Sequence, residues 1–285
     1  MKENFSYQFD KRYLDILRRI VAHGLLMAGA IIMITPFIWS FTSSFKSLTE
    51  IFNTPAFHLP FPLDFSAYQA VFERISFTTY VFNTFKVASI VTAGQILTCS
   101  MAGYAFARLR FPGRDFLFLA YLATLMVPGV VTLIPNFVIM RNLGWIDSHE
   151  ALIVPFLGSA FGTFLMRQFF LSFPTELEEA SKLDGCNPLQ FYFRILLPNS
   201  KPILVTFGLL TFQFMWNDFQ WPLIIINSDH NRTLQVGLAF LQNENYTEWN
   251  VLMAASVLAI IPIIILFMFT QKTLVQSIKL SGLKG

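Results

Sequence analysis

Stretches without Asp, Glu, Lys or Arg divide the chain into blocks. Residues 20–45 carry no such charge over 26 positions, 87–107 over 21, 116–140 over 25, 151–166 over 16, 202–217 over 16 and 249–271 over 23. A helix needs about 20 apolar residues to cross a hydrocarbon core of roughly 30 Å. Four blocks meet that length alone. The fourth block reaches it by adding residues 167–173, with Arg167 snorkelling to the interface. The fifth reaches it if Asp218 is tolerated, since the apolar run resumes beyond it through Ser228. The pattern predicts six membrane helices. The runs are long and continuously apolar, without the alternation of about ten residues that barrel strands need.

The first block follows Arg18-Arg19 and contains Ala28-Gly29-Ala30, which looks like a signal-peptide cleavage site. The apolar run continues for 15 residues past Ala30. A signal core spans only about 7–15 residues and ends at its site, so this block reads as an uncleaved anchor. Composition supports a membrane chain. Of the 285 residues 54% are hydrophobic and 13% charged, against about 25% charged in soluble domains. That excludes a water-soluble enzyme, and the hydrophobicity excludes disorder. Cys99 and Cys186 form no C-x-x-C pair and no disulfide framework.

Basic residues orient the helices. With six spans both ends lie on one side, and that side holds 15 of the Lys and Arg residues against four on the other, with Lys86 at a helix start. The bias places both termini in the cytoplasm. Trp39, Trp145, Trp216, Trp221 and Trp249 all fall near predicted outer helix ends, as an aromatic belt requires. The predicted organisation is a cytoplasmic N-terminal segment at 1–19, a six-helix domain at 20–273 and a cytoplasmic tail at 274–285.

One cytoplasmic loop is patterned. In residues 174–202, Glu176, Glu178 and Glu179 follow Pro174, where carboxylates favour the positive end of a helix dipole. Asp184-Gly185 then breaks the helix, because Gly takes the left-handed backbone that a helix end needs. An apolar run from Phe191 to Leu197 ends at Pro198. The loop reads as two short helices joined at a Gly corner. Physics leaves two roles open: an interfacial loop resting on lipid, or a docking surface for a cytoplasmic partner.

Glu179-Ala180-Ser181-x-x-Asp184-Gly185, followed by Ile195-x-Leu197-Pro198 and Lys201-Pro202, resembles the EAA loop of ABC-importer permeases. Phe161-Gly162-x-Phe164-Leu165-x-Arg167-Gln168-Phe169-Phe170, Leu143-Gly144-Trp145, Ala151-Leu152-Ile153-x-Pro155 and Trp216-Asn217-Asp218-Phe219-x-Trp221-Pro222 resemble the carbohydrate-uptake, maltose-type branch. So does the tail Leu280-Ser281-Gly282-Leu283-Lys284-Gly285. The combination carries the resemblance; the E-A-A triplet alone would not. Two positions depart from the pattern, Ser181 where Ala is usual and Cys186 where Ala is common, and both residues are small.

The resemblance implies an all-α integral membrane protein with the type I ABC-importer transmembrane fold, the second permease subunit of a binding-protein-dependent carbohydrate importer in the bacterial inner membrane. Its implied partners are a non-identical permease, two ATP-binding cassette ATPase subunits, a periplasmic or lipid-anchored sugar-binding protein and membrane lipid, with no nucleic acid. The loop would be the coupling helix: Asp184 and Gly185 make the corner, Ala180 and Ser181 allow close approach, Glu179 pairs with basic ATPase residues, and Leu197 and Pro198 complete the motif. None of the 14 glycines is followed by Lys, so no Walker A loop exists. ATP and Mg are expected on the ATPase subunits, with no cofactor, metal or catalytic residue on this chain.

Other signals are weaker. His149-Glu150-x-x-Ile153 lacks the second His of a zinc helix, and zinc needs about three protein ligands. His23 stands alone in the first span, and the sequons at Asn231 and Asn245 read as chance. Asp218 is the one acid in the helical core, where a charge costs about 2.5–3.5 kcal/mol at mid-bilayer. With Gln213, Trp216 and Asn217, and with Trp221 nearby, it is the candidate sugar pathway: amides and a carboxylate for hydroxyls, indoles for apolar faces. Pro222 is expected to end the helix just after this cluster, and Pro128 and Pro135 to kink the third span. Alternatively Asp218 pairs with the partner permease or sits at the outer interface. Two other function classes compete with the ABC permease. A secondary transporter would use Asp218 as an ion or proton site but would predict inverted repeats, of which none is evident. A membrane enzyme would need a nucleophile or metal cluster in the helices. The C-terminal segment 276–285 is either an ATPase contact or a frayed end.

Overall fold

The structure is a computed structural model. It describes the backbone over residues 3–242 and 247–282, and side chains over 15–242 and 247–274. The Asn245 sequon, the side chains of 276–285, and Lys2, Lys11, Arg12, Lys279 and Lys284 lie outside the described side chains. The chain separates into two compact units, Met1–Val71 with Gln242–Leu258, and Phe72–Leu241 with Ala259–Gly285.

The first unit holds the long helix α1 (Glu3–Ser43) and the short α2 (Leu48–Asn53). The apolar part of α1, Asp15–Ser43, is long enough to span a membrane. Ser47 and Glu50 form a capping box at the start of α2: the Ser47 amide donates to Glu50 Oε2 at 2.8 Å, and the Glu50 amide to Ser47 Oγ at 3.4 Å. The helix α3 (Ser66–Arg74) follows.

The second unit begins with α4 (Phe77–Arg108). Next come α5 (Arg114–Ala123), prolonged by a 3-10 turn to Met126, then α6 (Gly129–Asn142), α7 (Glu150–Ile153), a 3-10 turn, and α8 (Ala160–Leu171). The chain continues through α9 (Thr175–Leu183), α10 (Pro188–Phe191), a π-turn at Tyr192–Leu196, α11 (Leu197–Asn199), α12 (Lys201–Trp216), α13 (Gln220–Ile225) and α14 (Leu234–Ala239). The last helix, α15 (Trp249–Gly282), begins in the first unit and runs without a break through the expected tail boundary at 273–274. No strand ladder forms among the described residues, which hold one isolated bridge between Gln242 and Thr247.

Among the described residues four helical segments are long and apolar enough to cross a membrane alone: Asp15–Ser43, Phe77–Arg108, Glu150–Leu171 and Trp249–Leu274. Two bent pairs qualify together, Arg114–Met126 with Gly129–Asn142 at 99°, and Pro188–Asn199 with Lys201–Trp216 at 78°. Counting each pair as one span gives the six expected from the charge-free blocks. In the third span the break falls at Pro128, preceded by Val127 in extended conformation, as a residue before proline prefers. Pro135 stays inside α6.

The fifth span departs from expectation. Its helix ends at Trp216, residues 217–219 leave the helix, and α13 starts at Gln220. Pro222 sits in the first turn of α13 instead of ending the helix. Proline is tolerated there because first-turn N–H groups have no intrahelical acceptor to lose.

Helix α4 packs chiefly on α8 and α12. Gly103 makes the α4–α8 crossing possible: a Cβ there would lie 2.7 Å from Met166 Cβ. Around this crossing Cys99, Tyr104, Ala107, Met166, Phe170, Phe191, Tyr192, Leu196 and Phe207 form one buried core. The corner between α9 and α12 thus hangs from the core through Phe191, Tyr192 and Leu196. The Arg167 guanidinium lies 4.2 Å from the Phe118 ring centre and 3.8 Å from the exposed Asp115 carboxylate, with Nε donating to the Phe106 carbonyl at 3.2 Å.

Candidate functional site

The Gly corner forms where the sequence puts it. After Leu183 the Gly185 amide donates to the Lys182 carbonyl at 3.0 Å and the Cys186 amide to the Ser181 carbonyl at 2.9 Å. Those two bonds define a Schellman ending with Asp184 as C-cap, and they require the left-handed backbone that Gly185 adopts at φ +79°. Asn187 then starts α10 by a second capping box, its Oδ1 accepting the Gln190 amide at 2.8 Å while Gln190 Oε1 accepts the Asn187 amide at 3.0 Å.

The corner turns one face outward. Glu179, Ala180, Asp184 and Gly185 are exposed, and Leu183 is 90% exposed. Pro198 is exposed and Leu197 half-buried. Ser181 differs from the expected close-approach surface. It is buried within this chain, and its hydroxyl donates to the Glu178 carbonyl at 2.7 Å, so its small size serves internal packing.

The inner face is tied to the end of α4. Arg108 Nη1 lies 3.6 Å from Glu178 Oε2, while Nε and Nη2 donate to the Phe170 carbonyl at 3.0 and 2.7 Å and Nη2 also reaches the Phe173 carbonyl. Lys182 Nζ holds the other Glu178 oxygen at 2.8 Å. Beside these pairs a cleft of about 680 Å³ opens between the basic turn and α9, lined among others by Arg110, Arg114, Glu179 and Lys182. Two further contacts descend along α4. The Tyr104 hydroxyl donates to the Pro188 carbonyl at 3.2 Å, and the Tyr192 and Ser100 hydroxyls meet at 2.6 Å. In the sequence Arg108 counts only as a topology charge, Glu178 only as a helix-dipole carboxylate and Tyr192 only as part of an apolar run, while Ser100 and Tyr104 carry no assigned role. The four-residue spacing of Ser100, Tyr104 and Arg108 on α4 is the available signal.

The proposed pathway residues come together only in part. Gln213 and Asn217 are exposed on one face, with Asn217 Nδ2 donating to the Gln213 carbonyl at 2.9 Å and Gln235 Nε2 donating to Asn217 Oδ1 at 3.4 Å. Trp216 does not offer its ring. It is 1% exposed, stacked on Phe212 at 5.7 Å, and its indole N–H donates to the Ala259 carbonyl at 3.3 Å. Trp221 is also buried, donating to the Ala151 carbonyl at 3.0 Å. Large indoles gain most by burial when the N–H finds a partner, and both do. Asp218 is half-buried in the turn between α12 and α13.

At the start of α4 a separate polar cluster joins two loops. Asp147, at φ +62°, accepts at one carboxylate oxygen from the Asn227 amide at 3.0 Å and from the Ser228 amide and hydroxyl at 2.9 Å. Asn231 spends its side-chain amide on the Asp147 carbonyl at 2.7 Å. His149 Nε2 lies 3.0 Å from the Asn231 carbonyl and Nδ1 lies 3.2 Å from Lys86 Nζ. This pairing makes Nε2 the donor and Nδ1 the acceptor, a neutral imidazole. Burial and the Lys86 charge push the His149 pKa down. No group of three metal-ligating side chains occurs among the described residues. His23 Nδ1 lies 2.6 Å from the Arg19 carbonyl of its own helix.

Apolar spans broken at proline and polar residues, with a capped two-helix corner seated on the ends of α4 and α8, define a polytopic all-α membrane protein. The chain belongs to the family of binding-protein-dependent transport system inner membrane components, whose family model matches residues 95–280. It is 34% identical over 268 residues to the sn-glycerol-3-phosphate transport system permease protein UgpE of Brucella abortus (strain 2308), covering 91% of this chain and 95% of the relative. It is 32% identical over 259 residues to the arabinooligosaccharides transport system permease protein AraQ of Halalkalibacterium halodurans, covering 90% and 93%. A chain in the crystal structure of a bacterial ABC transporter involved in the import of the acidic polysaccharide alginate superposes with a TM-score of 0.80 at 30% identity, covering 90% of this chain and 96% of that one. The protein is therefore a transport permease of the inner membrane with the type I ABC-importer fold.

Proposed function

We propose that this permease imports a carbohydrate or a related polyol derivative, and that ATP hydrolysis on separate subunits drives it through the corner at 174–202. The relatives are named for glycerol 3-phosphate and arabinooligosaccharides and the structural neighbour for alginate. These solutes share a polyhydroxylated, highly solvated character, and some bear a negative charge. The chain carries no phosphate-binding Gly-x-x-x-x-Gly-Lys run, so ATP and Mg belong to partner ATPase subunits. A second, non-identical permease completes the pathway, and a sugar-binding protein delivers the solute. Both termini and the corner face the cytoplasm, in keeping with the 15-to-four distribution of basic residues.

The observation that carries the reading is the Gly185 corner. A Schellman ending, a capping box and the Arg108–Glu178 pair hold it rigid from within, while Leu183, Glu179 and Ala180 stand free on its outer face. A rigid knob with an apolar tip and an acidic flank suits a groove on a soluble partner that carries basic residues. Within the pathway Gln213 and Asn217 present amides to the solute, with Asp218 one residue further on. The test is reconstitution of the permease pair with its ATPase subunits and binding protein in vesicles. Uptake and ATP hydrolysis are expected only with the binding protein and its cognate sugar derivative. ATP-independent uptake would overturn the reading.

A further inference from the structure

Ser100, Tyr104 and Arg108 follow one another at four-residue intervals on α4, so they line one stripe over about 12 Å of the helix. Each grips a different part of the corner. Arg108 meets Glu178 on α9, Tyr104 donates to the Pro188 carbonyl on α10, and Ser100 meets Tyr192 at the start of the π-turn. The two aromatic rungs pack against each other at a tilt, with the Tyr104 and Tyr192 ring centres 5.4 Å apart and the planes at 32°.

The deepest rung is the most constrained. Ser100 and Tyr192 are both 0% exposed. The Ser100 hydroxyl also lies in bonding reach of the Ile96 carbonyl and, at 3.1 Å, of the Leu97 carbonyl of its own helix. Its single proton goes to one of those acceptors, so Tyr192 donates to Ser100 and no proton in the pair is spare. A buried hydroxyl left unmatched is costly, so the pair defines one register between α4 and the corner. Two local irregularities meet there: back-bonding by a mid-helix serine, which bends helices, and a π-turn, an uncommon geometry that concentrates at functional positions.

The covalent route from the corner into the membrane is different. It passes into α12 through a 78° bend at Ser200. A displacement of the corner therefore has two ways in, a sharp bend to α12 and a three-rung ladder to α4 whose deepest rung is fully buried.

We propose that Tyr192 and Ser100 are positioning residues for energy coupling, and that their hydroxyl pair locks the corner to α4 so that its displacement moves α4 directly. This rests on the reading of the corner as the ATPase contact. Neither residue touches solute or nucleotide; each acts through the helix it holds.

The test uses the complete complex in vesicles, with solute transported per ATP hydrolysed as the readout. Tyr192→Phe removes one oxygen and keeps the ring on Tyr104; Ser100→Ala removes the matching acceptor. Each variant is expected to assemble, to keep the wild-type melting temperature within a few degrees and to hydrolyse ATP at the basal rate. Solute moved per ATP is expected to fall about fivefold, the effect of one buried hydrogen bond. The double variant is expected to be no worse than either single one, because both changes remove the same interaction. Unchanged solute per ATP in both single variants, or additive losses in the double, would overturn the proposal. Loss of transport strictly in proportion to loss of assembled complex would reduce the pair to a structural role and overturn it equally. A wild-type complex that hydrolyses ATP without moving solute would instead overturn the function on which the proposal rests.

Discussion

The Arg108 guanidinium lies 3.6 Å from the Glu178 carboxylate and at the same time holds the Phe170 carbonyl through two of its nitrogens, at 3.0 and 2.7 Å. One side chain thus closes the end of α4, adds donors to a carbonyl at the end of α8 that also accepts the Phe173 amide, and pins the first turn of α9. Helix ends leave their last carbonyls unpaired, and a guanidinium with five donors is suited to collecting them. The corner's outward face can then be small and free, because its inner face is held.

Arg108→Ala should destabilise the permease by about 3 kcal/mol, the low end of what breaking a buried pair costs, since Lys182 still pairs with Glu178. Glu178→Gln keeps a hydrogen-bond acceptor for Arg108 and should cost less. Thermal unfolding of the purified permease checks the order. A smaller effect for Arg108→Ala than for Glu178→Gln would contradict the pinning role.

At Gly185 the backbone decides, because no atom lies within 4 Å of where a Cβ would stand. Left-handed backbone costs most L-residues about 1–2 kcal/mol and Asn less. Gly185→Asn should therefore retain most solute-stimulated ATP hydrolysis, Gly185→Val should lose it, and both should insert in the membrane normally. Equal activity in the two variants would show that the corner's conformation is irrelevant to coupling.

Trp216 and Asn217 are neighbours with opposite predicted phenotypes. Trp216→Ala empties a buried, stacked site and should cost about 3–5 kcal/mol of stability. Asn217→Ala alters an exposed amide and should leave stability nearly unchanged while lowering uptake or shifting sugar preference. Melting curves and uptake across a sugar panel separate the two. A folded Trp216→Ala permease of wild-type stability would contradict the packing assignment.

His149 sets a pH dependence. Burial, chiefly, and the Lys86 charge hold its pKa below the usual 6.5, outweighing the pull of the Asn231 carbonyl and Glu150. An unfolded chain then binds the proton more readily than the folded one as pH falls below 6.5. The stabilisation is complete above pH 6.5 and is lost as pH drops through the depressed value. His149→Gln, which cannot take the proton, should melt with a flatter dependence on pH below 6.5 than wild type. Parallel curves would contradict a neutral, half-buried His149.

Much of this architecture is legible in residue order because its causes are local. The Gly185 corner follows from Asp184-Gly185 and three glutamates upstream, and the break of the third span from Pro128. The fifth span is harder to read. Proline is compatible with a helix start as well as a stop, and α12 ends in the turn at Asn217–Asp218 ahead of it. The burial of Trp216 and Trp221 depends on carbonyls of Ala259 and Ala151, distant in sequence, so no local pattern announces it. The same holds for the rungs on α4, whose partners lie in the corner. Spacing could suggest the stripe, but only the fold supplies Glu178, Pro188 and Tyr192 opposite it.

The central claim is that the corner is where the ATPase takes hold, and position 183 tests it most directly. Leu183 stands 90% exposed at the tip of α9, next to the Gly185 turn. With a photo-crosslinking residue in place of Leu183 in the assembled complex, the account predicts a crosslink to an ATP-binding subunit whose yield changes when nucleotide is added. Crosslinks to lipid alone, with the ATPase subunits present and active, would contradict it.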